Sequence, residues 1–416
     1  EDTLSLHDAL PIYFPSVSAG WNAHQESWFA NPVVSKLKIR ASYGELGANF
    51  LSPYNFDAIA YGPIPYTLGG VRYTSGRAAY LKSRELKWET AKTTDIGLEL
   101  GFLNNDLTVQ VDYFVKKNVD LLAQIDLNLS SGQIFEINSS REKPYVNSAS
   151  VKNTGWEFLV NYRKQLTKDF SIDATLNLST LKNEVLSLGD NVQPITSGAM
   201  SSSFSDSPSI TKPGEAIGSF YGYKINGFDA DGNFIFADTD NSGSVDANDK
   251  VILGNPIPDF TYGFNVGFNY KNFDFSLVAY GAAGNQIVQS YRNHANSKAN
   301  YTTAILNRWT GEGTSNRMPR VTDTNINWQF SDLYLQDGDY LRISNITLGY
   351  DFAKLIKLKA ISQARLYVQV QNAFTFTKYD GMDPEIGYGT SDWVSGIDLG
   401  YYPRPRTFLV GVNLKF

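Results

Sequence analysis

Residues Asp259 to Gly281, DFTYGFNVGFNYKNFDFSLVAYG, alternate apolar and polar side chains with a period of two. Tyr262, Phe264, Val266, Phe268 and Tyr270 take one side of a strand, and Thr261, Gly263, Asn265, Gly267 and Asn269 take the other. Lys271-Asn272 supplies a two-residue loop, after which Phe273, Phe275, Leu277 and Ala279 resume on the first face. Each arm has about ten residues and, tilted near 45°, rises about 23 Å, the height of the apolar band of an outer-membrane barrel. Strands in soluble proteins are nearer five or six residues. Aromatics at both ends of the arms and small polar residues between them fit a lipid-facing wall around a wet interior.

The same alternation recurs along the chain. It predicts strands over 14–23, 36–44, 94–102, 107–115, 156–162, 170–178, 260–270, 273–281, 340–351, 363–376 and 406–416, with a slip of phase at Ser344-Asn345 that predicts a bulge. These eleven strands are joined in strict alternation by short turns and by long polar segments at about 45–90, 116–153, 180–258, 282–338 and 377–405. Within the longest, the Ser-rich stretch Ser197 to Ser209 is expected to be mobile. Bacterial barrels carry short periplasmic turns and long outside loops. The first strand then runs down, the second up, and the eleventh ends in the periplasm on Phe416, an aromatic terminus of the kind outer-membrane proteins present for insertion. The fold class is therefore all-β, an antiparallel transmembrane β-barrel fragment of about 11 long strands.

Composition sharpens this. The 416 residues include 7 Trp, 25 Tyr, 25 Phe and 34 Gly, yet only 42% are hydrophobic. No run of about 18 apolar residues exists, so there is no candidate transmembrane helix; a closed barrel is the other way to satisfy every backbone amide in lipid. A net charge of -6 argues against nucleic acid as a partner. Cysteine is absent, which suits an oxidising envelope and many other settings. Residues 1–12, EDTLSLHDALPI, have neither a basic n-region nor a long apolar h-region. They read as a non-native, adapter-like leader, which leaves 13–416 as the carboxy-terminal half of a barrel.

Several stretches in order, GSFYGYKINGFDADGNF (Gly218 to Phe234), GNPIPDFTYGFNVGFNY (Gly254 to Tyr270), YLRISNITLGYDF (Tyr340 to Phe352), QNAFTFTKYDGMDPE (Gln371 to Glu385) and YPRPRTFLVGVNLKF (Tyr402 to Phe416), resemble the carboxy-terminal half of the SusC/RagA family of TonB-linked outer-membrane transporters. FPSVSAGW and LKIRASYGELG are similar as well. The resemblance spans Tyr13 to Phe416. It implies half of a 22-stranded barrel that imports glycans or peptides across the bacterial outer membrane. The partners it implies are outer-membrane lipid, a SusD-like lipoprotein lid and the TonB complex. The family's plug and TonB-contacting box, which are amino-terminal, have no counterpart here, so energised transport by this chain alone is not expected.

Site chemistry is concentrated in Asp238 to Asp249, DTDNSGSVDAND. Counted as a calcium loop, Asp238, Asp240 and Ser242 take positions 1, 3 and 5, Gly243 makes the turn at 6, Ser244 offers its carbonyl at 7, Asp246 sits at 9 and Asp249 at 12. Ser at 5 and Asp at 12 depart from the usual loop, and an ordinary acidic turn is the other reading. One structural Ca2+ is the cofactor expected. Tyr61, Tyr66, Trp393, Tyr401 and Tyr402 lie in loops where they can stack on a ligand or pack the loops together. Asp380, Asp383 and Glu385 form an acidic group, but no catalytic constellation accompanies them and no enzyme activity is expected. His24 and His294 have no ligand spacing around them. The alternative to a transporter is a soluble calcium-dependent glycan-binding β-protein.

Overall fold

The computed structural model describes residues 13–49, 60–78, 86–124, 136–137, 140–141, 145–189, 192–200, 207–291, 300–315, 317–321, 329–356, 361–386 and 393–416. The leader 1–12 and His294 fall outside them.

Eleven strands lie side by side in chain order: β1 (Ser16–Trp21), β2 (Val34–Ala48), β3 (Glu89–Phe102), β4 (Leu107–Gln124), β5 (Tyr145–Thr167), β6 (Phe170–Thr180), β7 (Phe260–Tyr270), β8 (Phe273–Ala283), β9 (Tyr340–Asp351), β10 (Gln363–Thr377) and β11 (Thr407–Lys415). Every neighbouring pair is antiparallel. A twelfth strand, Lys182–Ser187, joins the sheet by pairing with the start of β5. β1 and β11 are the two edges, as the strand count from sequence leads one to expect, and among the described residues nothing closes the sheet.

Residues paired across an antiparallel ladder share a face. Followed strand to strand, one row runs Trp21, Ile39, Leu98, Val111, Phe158, Leu178, Tyr262, Gly281, Leu341 and Phe376. Nine of the ten are large and apolar, and the glycine is covered by the ring of Tyr262. Trp21, Ile39 and Phe376 are exposed, which in water would be a severe liability and against hydrocarbon is what a barrel wall requires. Two aromatic belts border this band. Near the short turns, Phe268 stacks on Phe275 at 4.8 Å, and Phe273, Tyr350 and Phe352 meet edge to face at 4.5 Å each. Toward the long loops, Tyr113 packs on Trp156 at 4.9 Å and Phe374 on Phe376 at 6.4 Å. Such belts are where amphipathic rings meet the headgroup layer.

The turns follow local chemistry. Tyr270 pairs with Phe273, leaving Lys271 and Asn272 as the loop, and Lys271 has a φ of 55°, the left-handed backbone of a tight hairpin. The bulge expected at Ser344-Asn345 is present: β9 shifts register against both neighbours there, and Ser344 Oγ donates to the Val278 carbonyl at 3.1 Å.

The segments 45–90 and 116–153 are not loops throughout, which corrects the boundaries expected from sequence. β2 continues to Ala48, β3 begins at Glu89, β4 reaches Gln124 and β5 begins at Tyr145. In the extensions Lys116 faces Asn153 and Lys117 faces Lys152. Above them Leu121, Ala123, Ala149 and Val151 pack against Val185 and Leu188 and not against lipid, so the lipid-facing alternation does not run on through these extensions. A separate hairpin, Ala60–Leu68 with Val71–Ala78, lies inside 45–90. The insertion 180–258 is also structured: Phe220, Tyr223, Phe234 and Phe236 bury themselves with Val288, Phe330, Tyr334 and Ile397 from the later loops. Ser209 is fully buried in the strand Ser209–Thr211, so the Ser-rich stretch is not mobile over its whole length. Residues 201–206 of it lie outside the described ones.

Candidate functional site

On the polar face of the sheet, cations and carboxylates alternate at close range. Arg40 on β2 reaches Asp95 of β3 at 2.9 Å and Asp112 of β4 at 2.6 Å, while Lys36 and Lys38 meet Glu99 at 2.7 and 3.1 Å. Gly97 lies beneath this crossing; a Cβ there would sit 2.1 Å from Asp112 Oδ1 and 2.7 Å from Arg40 Nε. The pattern repeats at Gly349, under the paired bonds of Arg365 to Asp274 at 2.7 and 2.5 Å. Glycines of the polar phase thus make room for ion pairs that span three strands.

At the long-loop end, Arg342 of β9 is 2% exposed. Its Nη2 donates to Asp383 at 2.5 Å and its Nη1 lies 3.2 Å from Glu385, to which Arg404 and the Tyr340 hydroxyl also turn, at 3.4 and 3.2 Å. Two guanidinium groups face two carboxylates, which offsets the cost of burying them. Asp380 accepts from Gln289 at 2.7 Å. Tyr379 donates to Asp398 at 2.6 Å, and its burial, with that bond, pushes its hydroxyl pKa well up. The acidic group read from sequence as a conceivable carboxylate pair therefore pins segment 377–405 to the top of the wall. The sequence named the acids but held no sign of Arg342, their partner from a strand about 40 residues earlier.

Three of the carboxylates counted in the calcium-type loop come together. Asp238, Asp240 and Asp249 each bring a carboxylate oxygen within 4.8 Å of the others. Asp238 accepts from the backbone N–H of Ser242 at 3.0 Å and of Gly243 at 2.8 Å, and Gly243 takes a φ of 86°, the sharp turn of position 6. Ser242 Oγ donates to the Ser244 carbonyl at 2.9 Å. Asp246 points elsewhere: it accepts from Asn248 N–H at 2.7 Å, capping a single 3-10 turn. Asp249 is fully buried, and backbone N–H groups led by that of Asp246 hold its carboxyl below the usual carboxylate range.

Tyr61 and Tyr66 lie on Ala60–Leu68, where their side chains are outside those described. Trp393 packs against the small core of Ala123, Ala149, Val151, Val185 and Leu188. Tyr401 and Tyr402 are 37% and 88% exposed. A cleft that sequence reasoning missed opens between two loops, with Trp309 on one side and Asn226 to Ala230 on the other; its two sides are about 80 positions apart in sequence, beyond any local pattern.

A single lipid-height sheet with one apolar and one polar face, capped by interlocked loops, defines part of an outer-membrane barrel. The chain belongs to the TonB-dependent receptor-like β-barrel family, which it matches over residues 10–373. It is similar to TonB-dependent receptor P3 of Formosa agariphila, 33% identical over 431 residues, and to TonB-dependent receptor SusC of Bacteroides thetaiotaomicron, 32% identical over 424 residues. Each comparison covers 97% of this chain, and 42% and 40% of the relative. Among solved structures, the RagAB peptide importer in its open-open state superposes with a TM-score of 0.78 at 22% identity, over 97% of this chain and 42% of that one. The chain thus spans about two fifths of the length of these relatives.

Proposed function

We propose that this chain forms part of the wall and the loop cap of an outer-membrane, TonB-dependent importer of glycans or peptides. The observation that carries this is the ten-strand apolar row set against a polar face lined by ion pairs. The apolar face meets outer-membrane lipid, the short turns face the periplasm, and the interlocked long loops face outside. A SusD-like lipoprotein closing over that cap, and the TonB complex acting on the rest of the protein, complete the reading. It is supported by the relatives named SusC and RagAB. The soluble glycan-binding alternative is not favoured, since it leaves a lipid-height apolar band in water. The test is deletion of the gene, followed by growth on defined glycans and on defined peptides as sole nutrients, with membrane fractionation of the protein. A nutrient-specific defect that a TonB deletion reproduces is expected. Unchanged growth on every nutrient, with the protein in the detergent-free soluble fraction, would overturn it.

We further propose that Asp238, Asp240, Ser242, Ser244 and Asp249 hold one calcium ion on the outside, as a structural clip, with Asp246 capping the turn that carries Asp249. The convergence of three carboxylates within 4.8 Å supports this; carboxylate, hydroxyl and carbonyl oxygens are hard ligands that suit calcium and offer zinc neither His nor Cys. The ion would join the two ends of the loop that leads into the strand Val251–Gly254 and on to β7.

A further inference from the structure

The cleft between Asn226–Ala230 and Trp309–Ser315 has a volume of about 720 Å³, within the range of roughly 300–1,000 Å³ typical of small-ligand sites. Its two walls come from different long loops, yet both are fixed to one core. Phe234 and Met318, close in sequence to each wall, are buried in the same apolar cluster, Arg320 N–H donates to the Gly232 carbonyl at 3.0 Å, and Trp309 N–H donates to the Met318 carbonyl at 2.9 Å. The indole of Trp309 lies flat against Gly232, where a Cβ would meet it at 2.3 Å. Trp309 is therefore held in place by backbone that only glycine permits.

Around that indole the cleft presents oxygen acceptors and an amide: Asn226, Asp229 and Glu312 are all exposed. Asp229 is the most rigid of them. It accepts from Asp231 N–H at 2.9 Å, and from Asn233 N–H at 2.8 Å and the Asn233 amide at 3.0 Å. These bonds, the backbone one from Asn233 foremost, keep its carboxyl below the ordinary range and ionised. Gly227, at a φ of 146°, and Gly313, at 77°, both line the cleft with nothing within 4 Å of where a Cβ would stand. Their bare backbone leaves room for a ligand to come close.

We propose that this cleft is a saccharide subsite, in which one pyranose ring of a neutral glycan lies on Trp309 while adjacent hydroxyls donate to Asp229 and Glu312 and accept from Asn226. The polarised C–H groups of a pyranose face match the negative face of an indole, and ring hydroxyls match the acceptor position left on Asp229 Oδ2 and the carboxylate of Glu312. A peptide fits less well. Its main way of adding to this hairpin is as a further strand, and the pairing of Ile225–Phe228 with Phe234–Phe236 is broken by a bulge between Ile225 and Gly227. The proposal rests on the importer reading and narrows it to glycans.

The experiment uses the full-length protein in detergent, titrated with gluco-, xylo- and manno-hexaoses and with a lysine-containing hexapeptide. Saturable binding of at least one hexaose is expected. Trp309→Ala and Glu312→Gln should each weaken it about tenfold, whereas Trp309→Phe, which keeps a ring on the glycine, should stay within about threefold. Asn226→Ala and Glu312→Gln alter only exposed side chains, so they report on contact even if Trp309→Ala loosens the loop. No hexaose binding, hexaose binding indifferent to all four substitutions, or hexapeptide binding that these substitutions abolish would each overturn the subsite. Nutrient uptake by cells, measured in parallel, scores the importer reading separately. Uptake that persists while hexaose binding ignores the cleft overturns the subsite alone, and TonB-independent growth with cleft-dependent hexaose binding overturns the importer alone.

Discussion

Gly97 and Gly349 have no side chain to contribute, yet each lies beneath an ion pair that a Cβ would displace. The residue scale is where this chain couples backbone to charge, and Asp249 is the other case. It is fully buried without a formal counter-ion, satisfied by the N–H groups of Thr239 and Asp240 on one oxygen and of Asp246 on the other. Its carboxyl is held below the ordinary value of about 3.9. The sign follows: a group whose folded pKa is lowered contributes stability that is fully present above the unfolded value and lost as pH falls through the folded one. What Asp249 contributes to the fold of this loop should therefore be fully present at neutral pH and be lost only as pH falls below that ordinary value. Calorimetric titration of calcium into the detergent-solubilised full-length protein is expected to give a dissociation constant of about 10⁻⁴ to 10⁻³ M, the range of extracellular modules. Asp238→Ala and Asp249→Ala should abolish the heat, and heats identical to those of the unsubstituted protein would return this loop to an ordinary acidic turn.

Strands were legible from sequence wherever one face borders lipid and the other does not, because only that asymmetry imposes a period of two on composition. All eleven wall strands carry it, and the phase slip at Ser344 marked the bulge. The upper parts of β4 and β5 do not: Lys117 stands opposite Lys152, and the apolar residues above them, Ala123, Ala149 and Val151, are buried against Val185 and Leu188 of a later segment, a contact that no local pattern announces. The loop core was illegible for another reason: Phe220, Val288, Phe330 and Ile397 come from three insertions far apart in sequence and meet only in the folded cap. The calcium-type loop could be counted because its candidate ligands are local in sequence, whereas the Trp309 cleft and the Arg342 cluster could not. The facial assignment itself is testable at one strand. Val266 pairs with Ala174 and Leu277 on the apolar row, and Asn265 with Thr175 and Val278 on the other face. Val266→Arg in the full-length protein should cost about 2 to 4 kcal/mol near mid-membrane, while Asn265→Arg, facing the lumen, should cost little. Denaturant unfolding from lipid vesicles measures both, and equal costs would reverse or dissolve the assignment of faces.

At the scale of the molecule, the meander leaves the outer edge of β1 and the outer edge of β11 with no strand beside them among the described residues. Val17 on the first is 68% exposed and Val410 on the second is 74% exposed. An edge of unpaired N–H and C=O groups is a template for association in water, and in hydrocarbon each unsatisfied group costs several kcal/mol. The interior strands have no such open edge: β7 is laddered along its whole length to β6 on one side and β8 on the other. The two ends of the sheet are therefore the places where the wall must be continued by further strands of the barrel, consistent with relatives more than twice as long. Hydrogen exchange separates these situations. In the isolated chain refolded into detergent micelles, amides of Ser16–Trp21 and Thr407–Lys415 should exchange far faster than those of Phe260–Tyr270, because the edges open without breaking a second ladder. In the full-length protein the same amides should become as protected as the β7 amides. Edge amides that stay fast in the full-length protein would mean that β1 and β11 are true edges, and that the wall closes in some other way.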